Sequence, residues 1–186
     1  MKEIPLNTRT GNKLKGKFVA MVDDDMYPFV SIFNWTVTYS KDADTYYAVR
    51  SYYPEKGVQI KIKMHRFIFG ITDSNIHVDH EDHNGLNNQS YNLRPGTPLQ
   101  NMLNKKPYKN CVSKYKGVSW RKNRKRWRAL INVNGKCIAL GSFVNEIDAA
   151  KAYDKGAIKY FGKWAFLNFP DLITPASNTP LGAVNG

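Results

Sequence analysis

Three runs in the second half of the chain alternate apolar and polar side chains with a period of two. In Lys116 to Arg121, Val118 and Trp120 share one side and Ser119 and Arg121 the other. In Arg126 to Val133, Trp127, Ala129, Ile131 and Val133 oppose Arg126, Arg128, Leu130 and Asn132; in Lys136 to Phe143, Ile138 and Leu140 fall together. This is the pattern of strands with one buried and one solvated face. Asn134-Gly135, between the second and third runs, supplies the two residues that a type I′ hairpin needs in the left-handed region. The period then lengthens. Asn145 can cap a helix whose first turn carries Asp148 near its positive end. Ile147, Ala150, Tyr153, Ala157, Ile158 and Phe161 recur near 3.6 residues, and Gly162 stops the run. Residues 115–170 should therefore form a three-stranded antiparallel sheet packed on one helix. Trp127, Tyr153 and Phe161 belong to its core, and the basic sheet face is left outward.

The first half is shorter in period and richer in turns. Lys17 to Val22, Tyr46 to Arg50 and Val58 to Met64 read as strands, the last alternating Val58, Ile60, Ile62 and Met64 against Gln59, Lys61 and Lys63. Asp23-Asp24-Asp25 before Met26 and Tyr27 suits a helix start and reads as a solvated acidic turn. Val78 ends an extended run, the Asn-Gly and Asn-Asn pairs between residues 84 and 88 must turn, and Asn92-Leu93-Arg94 extends again before Pro95-Gly96. Thr97 as N-cap with Pro98 at the first helical position opens a helix without a breaker over the following residues. The order is strand, loop, strand, helix, and the fold class is α+β. The chain's 186 residues suffice for two small cores. The expected divisions are a β-rich part at 1–63, the hairpin and helix at 64–104, a basic linker at 105–114, the sheet-and-helix domain at 115–170 and a disordered tail at 171–186.

Charge separates the two halves. Of 28 Lys and Arg, 16 lie between Lys105 and Lys163 against three acids there, so this segment carries +13 and the remainder is neutral. So concentrated a field suits a polyanionic partner, nucleic acid first. No basic amphipathic helix with an apolar face points to a lipid surface, and no apolar run approaches the ~20 residues that span a bilayer. Cys111 and Cys137 lack metal-knuckle spacing and read as reduced thiols. A protein acting inside a cell is expected.

Candidate chemistry is concentrated as well. All four histidines, His65, His77, His80 and His83, fall within residues 65–83. An imidazole can take a proton from water near neutral pH, while carboxylate and carboxamide oxygens suit a hard divalent ion. Asp79 and His80 are neighbours on a strand and point to opposite sides, so one can bind an ion while the other faces water. Alone, such a pair is ordinary turn chemistry. Together with Asn92-Leu93-Arg94 and Asn101 on the capped helix, it is not.

That conjunction of Asp79-His80, Asn92 before an apolar residue and Asn101 resembles the HNH nuclease family and its ββα-metal core. The resemblance implies that Asp79 and Asn101 ligate one divalent ion, Mg2+ or Mn2+. It makes His80 the general base and Asn92 the residue that holds the loop orienting the imidazole, with Asn101 returned toward Asp79. His83 stands where many family members carry glycine, either as an extra ligand or as a solvated loop residue. Val22-Asp23-Asp24, Trp35, Tyr47-Ala48-Val49-Arg50 and Met64-His65-Arg66 are similar to the N-terminal part of phage-type HNH homing endonucleases. His65 and Arg66 could touch a phosphate backbone, although capping or packing suits His65 equally.

Tyr115-Lys116-Gly117-Val118, Leu140-Gly141-Ser142-Phe143, the run Ala149 to Asp154 and Leu167-Asn168-Phe169-Pro170 resemble the plant ERF-type, or Apetala-two, domain. That family lays its sheet in the major groove of duplex DNA. Carried over, Ser119, Arg121, Arg126, Arg128 and Asn132 are the candidates for base and phosphate contact. The third strand departs, with Cys137 and Ala139 where the family tends to show Arg and Trp, so base preference should differ. The expectation is an endonuclease of homing type acting on double-stranded DNA in the cytoplasm of a phage or mobile-element host. A DNA-binding regulator with an inactive nuclease scaffold is the alternative, and structured RNA is a less suitable partner. Nothing in the sequence implies an oligomeric state.

Overall fold

The computed structural model describes residues 1–8, 17–107 and 111–172. It divides into two compact units, Met1–Asn104 and Lys105–Gly186. Part of the expected linker and nearly all of the expected tail lie outside the described residues. Pro170–Leu172 forms one turn of 3-10 helix.

The first unit is a set of small antiparallel sheets. Strand β1 (Lys2–Pro5) pairs with β2 (Val19–Val22), and the short helix α1 (Tyr27–Ser31) follows. Strands β3 (Thr36–Ser40), β4 (Thr45–Tyr52) and β5 (Ile60–Lys63) form a meander in that order, and helix α2 (Met64–Ile68) begins directly on the end of β5. The strand expected to run through Met64 therefore ends at Lys63. The core comprises Ile4, Leu6, Ala20, Val22, Val30, Trp35, Ala48 and Met64. Trp35 is fully buried because its indole Nε1 donates to the Val30 carbonyl at 2.8 Å, satisfying its one polar atom.

Strand β6 (His77–His80) and strand β7 (Leu93–Gly96) form a two-stranded ribbon, with Asp79 opposite Arg94 and His80 opposite Leu93. Helix α3 (Pro98–Leu103) follows through a complete capping box. Thr97 Oγ1 accepts from Gln100 N at 3.2 Å while Gln100 Oε1 accepts from Thr97 N at 2.8 Å. An isolated ribbon is marginal in water, and the loop between β6 and β7 is therefore fastened to its neighbours. Met21 N donates to Leu86 O and Asn88 N to Met21 O, both at 2.8 Å. Gly85 N donates to Thr45 Oγ1 at 3.0 Å. A Cβ at Gly85 would collide with the Tyr46 carbonyl and the Tyr47 ring, so only glycine lets the loop lie this close to β4.

In the second unit, β8 (Val118–Arg121), β9 (Arg126–Val133) and β10 (Lys136–Phe143) form an antiparallel sheet in the order β10-β9-β8. Asn134 and Gly135 have φ of +51° and +79°, as the type I′ turn requires. Helix α4 (Glu146–Phe161) is capped by Asn145, whose Oδ1 accepts from Ile147 N at 2.8 Å. Its packed face keeps Ala150, Tyr153 and Ala157 of the expected stripe but not its isoleucines. Ala149, Ala150, Tyr153, Asp154, Gly156 and Ala157 are buried, whereas Ile147 and Ile158 are 42% and 38% exposed. Small residues win because the helix lies too close for branched ones: a Cβ at Gly156 would press on Leu140. Trp120, at 36% exposure, and half-buried Trp127 meet edge to face with centroids 5.1 Å apart.

Candidate active site and nucleic-acid face

The pleat of β6 separates two kinds of chemistry. His77 and Asp79 face α3, where residues three apart on one helical face meet them. Asn104 Nδ2 donates to Asp79 Oδ2 at 2.8 Å, and Asn101 Nδ2 lies 3.4 Å from His77 Nδ1. Asn101 was expected against Asp79; the helical partner that hydrogen-bonds this carboxylate is Asn104, at the C-cap of α3, while Asn101 stands one rung away. Arg94 Nη2 also donates to Asp79 Oδ2, at 2.6 Å. Asp79 Oδ1 takes no hydrogen bond from a described residue. Burial raises the Asp79 pKa, while the hydrogen bond and charge of Arg94 and the amide of Asn104 pull it down.

His80 faces the other way, into a nest of rings. Its centroid is 4.9 Å from that of His65, with the planes at 85°, and 5.7 Å from Tyr47. His65 and Tyr47 meet at 5.4 Å. His80 Nε2 is buried without a hydrogen-bond partner among the described residues. Burial lowers the His80 pKa to about 4, Asn88 and Asp82 opposing the shift, so the ring is uncharged at neutral pH. His65, also buried, is held well below its usual range by desolvation and by the charges of His80, Lys63 and Arg66.

Asn92 fastens the loop. Its Nδ2 donates to Asp82 Oδ1 at 2.9 Å and to Asn87 O at 2.8 Å, and its Oδ1 accepts from Asp82 N at 2.9 Å. Asp23 accepts from Ser90 N at 2.7 Å and from Gln89 Nε2 at 3.3 Å, so the residue read as part of a solvated turn anchors the same loop from β2. His83 has φ of +60°, in the left-handed region that favours glycine. Arg66 is engaged by the carbonyls of Ile76 and Asp73, both at 2.6 Å.

In the sheet of the second unit, register pairs Ser119 with Arg128, Arg121 with Arg126, and Cys137 with Asn132. Ser119, Arg121, Arg126 and Asn132 are exposed and Arg128 is half-buried. These five sit on the face opposite the α4 side, where Ala129 and Ile131 are buried. Sequence reasoning missed the lock behind this sheet. Buried Asp154 accepts from Asn168 N and Phe169 N, each at 2.9 Å, and Asn168 Oδ1 accepts from Lys116 N at 2.8 Å.

A buried Asp-His pair thus sits on a ribbon beside a helix in the first unit, and the second unit carries an exposed basic sheet face. No protein-family profile matches the chain. Over 159 residues, 83% of this chain and 76% of the relative, it is 35% identical to an uncharacterized HNH endonuclease of Acanthamoeba polyphaga mimivirus. The chain belongs to the HNH endonuclease family. It is also 42% identical to Protein 3.8 of Escherichia phage T7 over 60 residues, 32% of this chain and 50% of that protein. An AP2-like ethylene-responsive transcription factor of Arabidopsis thaliana is 39% identical over 59 residues, 32% of this chain but 16% of the factor. No described helix is long and apolar enough to cross a membrane.

Proposed function

We propose that the chain is an endonuclease of homing type that hydrolyses phosphodiester bonds in double-stranded DNA with one divalent ion, Mg2+ or Mn2+. The observation that carries this reading is the buried Nε2 of His80, which has no hydrogen bond of good geometry among the described residues, on an uncharged ring. A packed structural histidine satisfies its nitrogens; a general base keeps one for its substrate.

The donors fit a hard ion. Asp79 offers Oδ1, and Asn101 offers its carboxamide oxygen on the same side of β6. Among the described residues no three His, Cys, Asp or Glu gather into a ligand cluster. Asp79 and Asn101 would hold the ion, with water and phosphate oxygens completing about six ligands. When bound there, it supplies neutralisation of the charge that develops on the phosphate and the leaving oxygen.

The protein's own residues do the rest. In the tautomer that leaves Nε2 unprotonated, His80 accepts a proton from the attacking water. An approaching phosphate raises the imidazole's affinity for that proton, so the base strengthens when substrate arrives. His65 and Tyr47 fix the plane of the ring. Arg94 and Asn104 orient Asp79, and Asn92 closes the loop. Arg121, Arg126 and Arg128, with Ser119 and Asn132, hold the duplex; a cutting unit joined to a separate holding unit supports a long recognition site, and hence the homing type. The test is cleavage of plasmid and phage DNA with Mg2+ or Mn2+ against a chelator control. Wild type should cut, and His80→Ala and Asp79→Ala should bind duplex without cutting. Cutting at the wild-type rate by both variants would overturn the assignments, and binding without metal-dependent cutting by wild type would favour a regulator.

A further inference from the structure

Resting on the endonuclease reading, we propose that Lys63 is a further catalytic residue, whose ammonium receives a non-bridging oxygen of the scissile phosphate beside His80. Lys63 ends β5, caps α2 and pairs with Val49 of β4. Its diagonal neighbour across the strands is Tyr47, and its Nζ lies 4.7 Å from the centre of that ring. The same ring borders His65 at 5.4 Å and His80 at 5.7 Å. One aromatic platform therefore carries both an ammonium and the imidazole with the unpartnered nitrogen.

The neighbouring cations are already occupied. Arg66 is held by two carbonyls, Arg94 by Asp79, and Arg50 stacks on Phe33 with its guanidinium carbon 3.9 Å from the ring centre. No described carboxylate lies within ion-pair distance of Lys63. An exposed lysine without an acid is usually a solvated chain end. This one lies over a tyrosine inside the candidate site, and the ring beneath it also borders His65 and His80. A dianionic transition state placed against His80 would meet a compact positive charge there, where positioned charge acts most strongly.

The experiment compares full-length wild type, Lys63→Gln and Lys63→Arg in two assays. The first is duplex binding in chelator over a salt series. Losing one phosphate contact should make the slope of log affinity against log salt shallower by about 0.9 in Lys63→Gln and leave it unchanged in Lys63→Arg. The second is cleavage with Mn2+, in which Lys63→Gln should lose about 100-fold in kcat, as for loss of one transition-state donor, and Lys63→Arg should recover most of it. An unchanged slope with cleavage within threefold of wild type overturns the proposal. A changed slope with unchanged kcat overturns it too, because Lys63 would then touch a phosphate that does not react. If wild type fails to cut at all, the endonuclease reading fails, and with it the catalytic role of Lys63, whatever the slope.

Discussion

Replacing Asn92 by alanine should open the loop between β6 and β7 without touching a reacting atom. Asn92 is 1% exposed. Its side chain makes three hydrogen bonds between 2.8 and 2.9 Å, to Asp82 Oδ1, Asn87 O and Asp82 N. Each is worth about 1 kcal/mol net. The variant should therefore lose about 3 kcal/mol, the low end for a buried polar deletion because exposed Asp82 can return to water. Asn92→Asp keeps the shape but cannot donate, and it sets a second carboxylate against Asp82; it should be no better than alanine. The loop carries the backbone of residues 81–92 from His80 to Leu93, so a shift of about 1 Å at the imidazole should cost about 100-fold in kcat. Urea unfolding followed by circular dichroism gives the first quantity, single-turnover cleavage the second, and amide exchange at Glu81, Asp82 and Gln89 reports the opening. A variant that loses less than about 0.5 kcal/mol and cuts at the wild-type rate would refute the view of Asn92 as the fastener of this loop.

Acid should weaken the first unit early. His80 and His65 both have folded pKa values below 6.5, so the unfolded chain takes their protons first; stability is complete above pH 6.5 and falls as pH drops toward 4. For His80 the loss amounts to at most about 3 kcal/mol. Asp79, with a raised pKa, acts in the opposite sense; an identical urea midpoint at pH 7.5 and pH 5 would reject the histidine assignment. Gly117→Ala should destabilise the second unit by about 3 kcal/mol or more, because Gly117 has φ of +74° and its added Cβ would enter the Tyr153 ring; an unchanged thermal melt would contradict this. If about six phosphates are contacted, the full chain should bind duplex with a salt slope of roughly −5, and Arg126→Ala or Arg128→Ala should make it shallower by about 0.9 or relax one base position; a flat slope would exclude the sheet as the holding face.

What the sequence revealed follows from which interactions are local. The ends of β9, β10, α3 and α4 were readable because each is set by a turn or cap whose partners lie within four residues, as with Thr97 and Gln100. Strands β1 and β3 were not, since four or five residues such as Lys2–Pro5 hold too few alternations and take their identity from distant pairing. On α4 the expected Ala150, Tyr153 and Ala157 are buried, but Ile147 and Ile158 are not, because close packing selects the small Ala149 and Gly156 over branched residues. At the site, the Asp-His pair and Asn92 lie in one short stretch. Asn104 was missed because nothing local distinguishes a C-cap asparagine; spacing by three from Asn101 is the signal that would have found it. Lys63, Tyr47 and His65 reach the site only through strand pairing and the start of α2, and no local pattern encodes that.

The charge balance of the Asp79 side makes one further demand. Among the described residues two carboxylates share one guanidinium there, Arg94 lying 2.6 Å from Asp79 and 3.7 Å from Oε1 of exposed Glu81, so the net charge is about −1. The remaining donors, Asn101 and Asn104, are neutral. A site with so little net negative charge has no strong electrostatic reason to hold a divalent ion by itself, and sites of this kind depend on substrate phosphates for the missing charge and ligands. The free chain should accordingly bind Mn2+ weakly, with a dissociation constant of about 10⁻⁴ M or above. Adding duplex DNA that resists hydrolysis should tighten it at least tenfold beyond the Mn2+ that the duplex takes up alone, as electron paramagnetic resonance of free Mn2+ would measure. By linkage, Mn2+ must tighten the DNA by the same factor, and Asp79→Asn should abolish both effects together. Tight Mn2+ binding without DNA, unchanged in Asp79→Asn, would show that the ion is held elsewhere and would remove Asp79 from the ligand set.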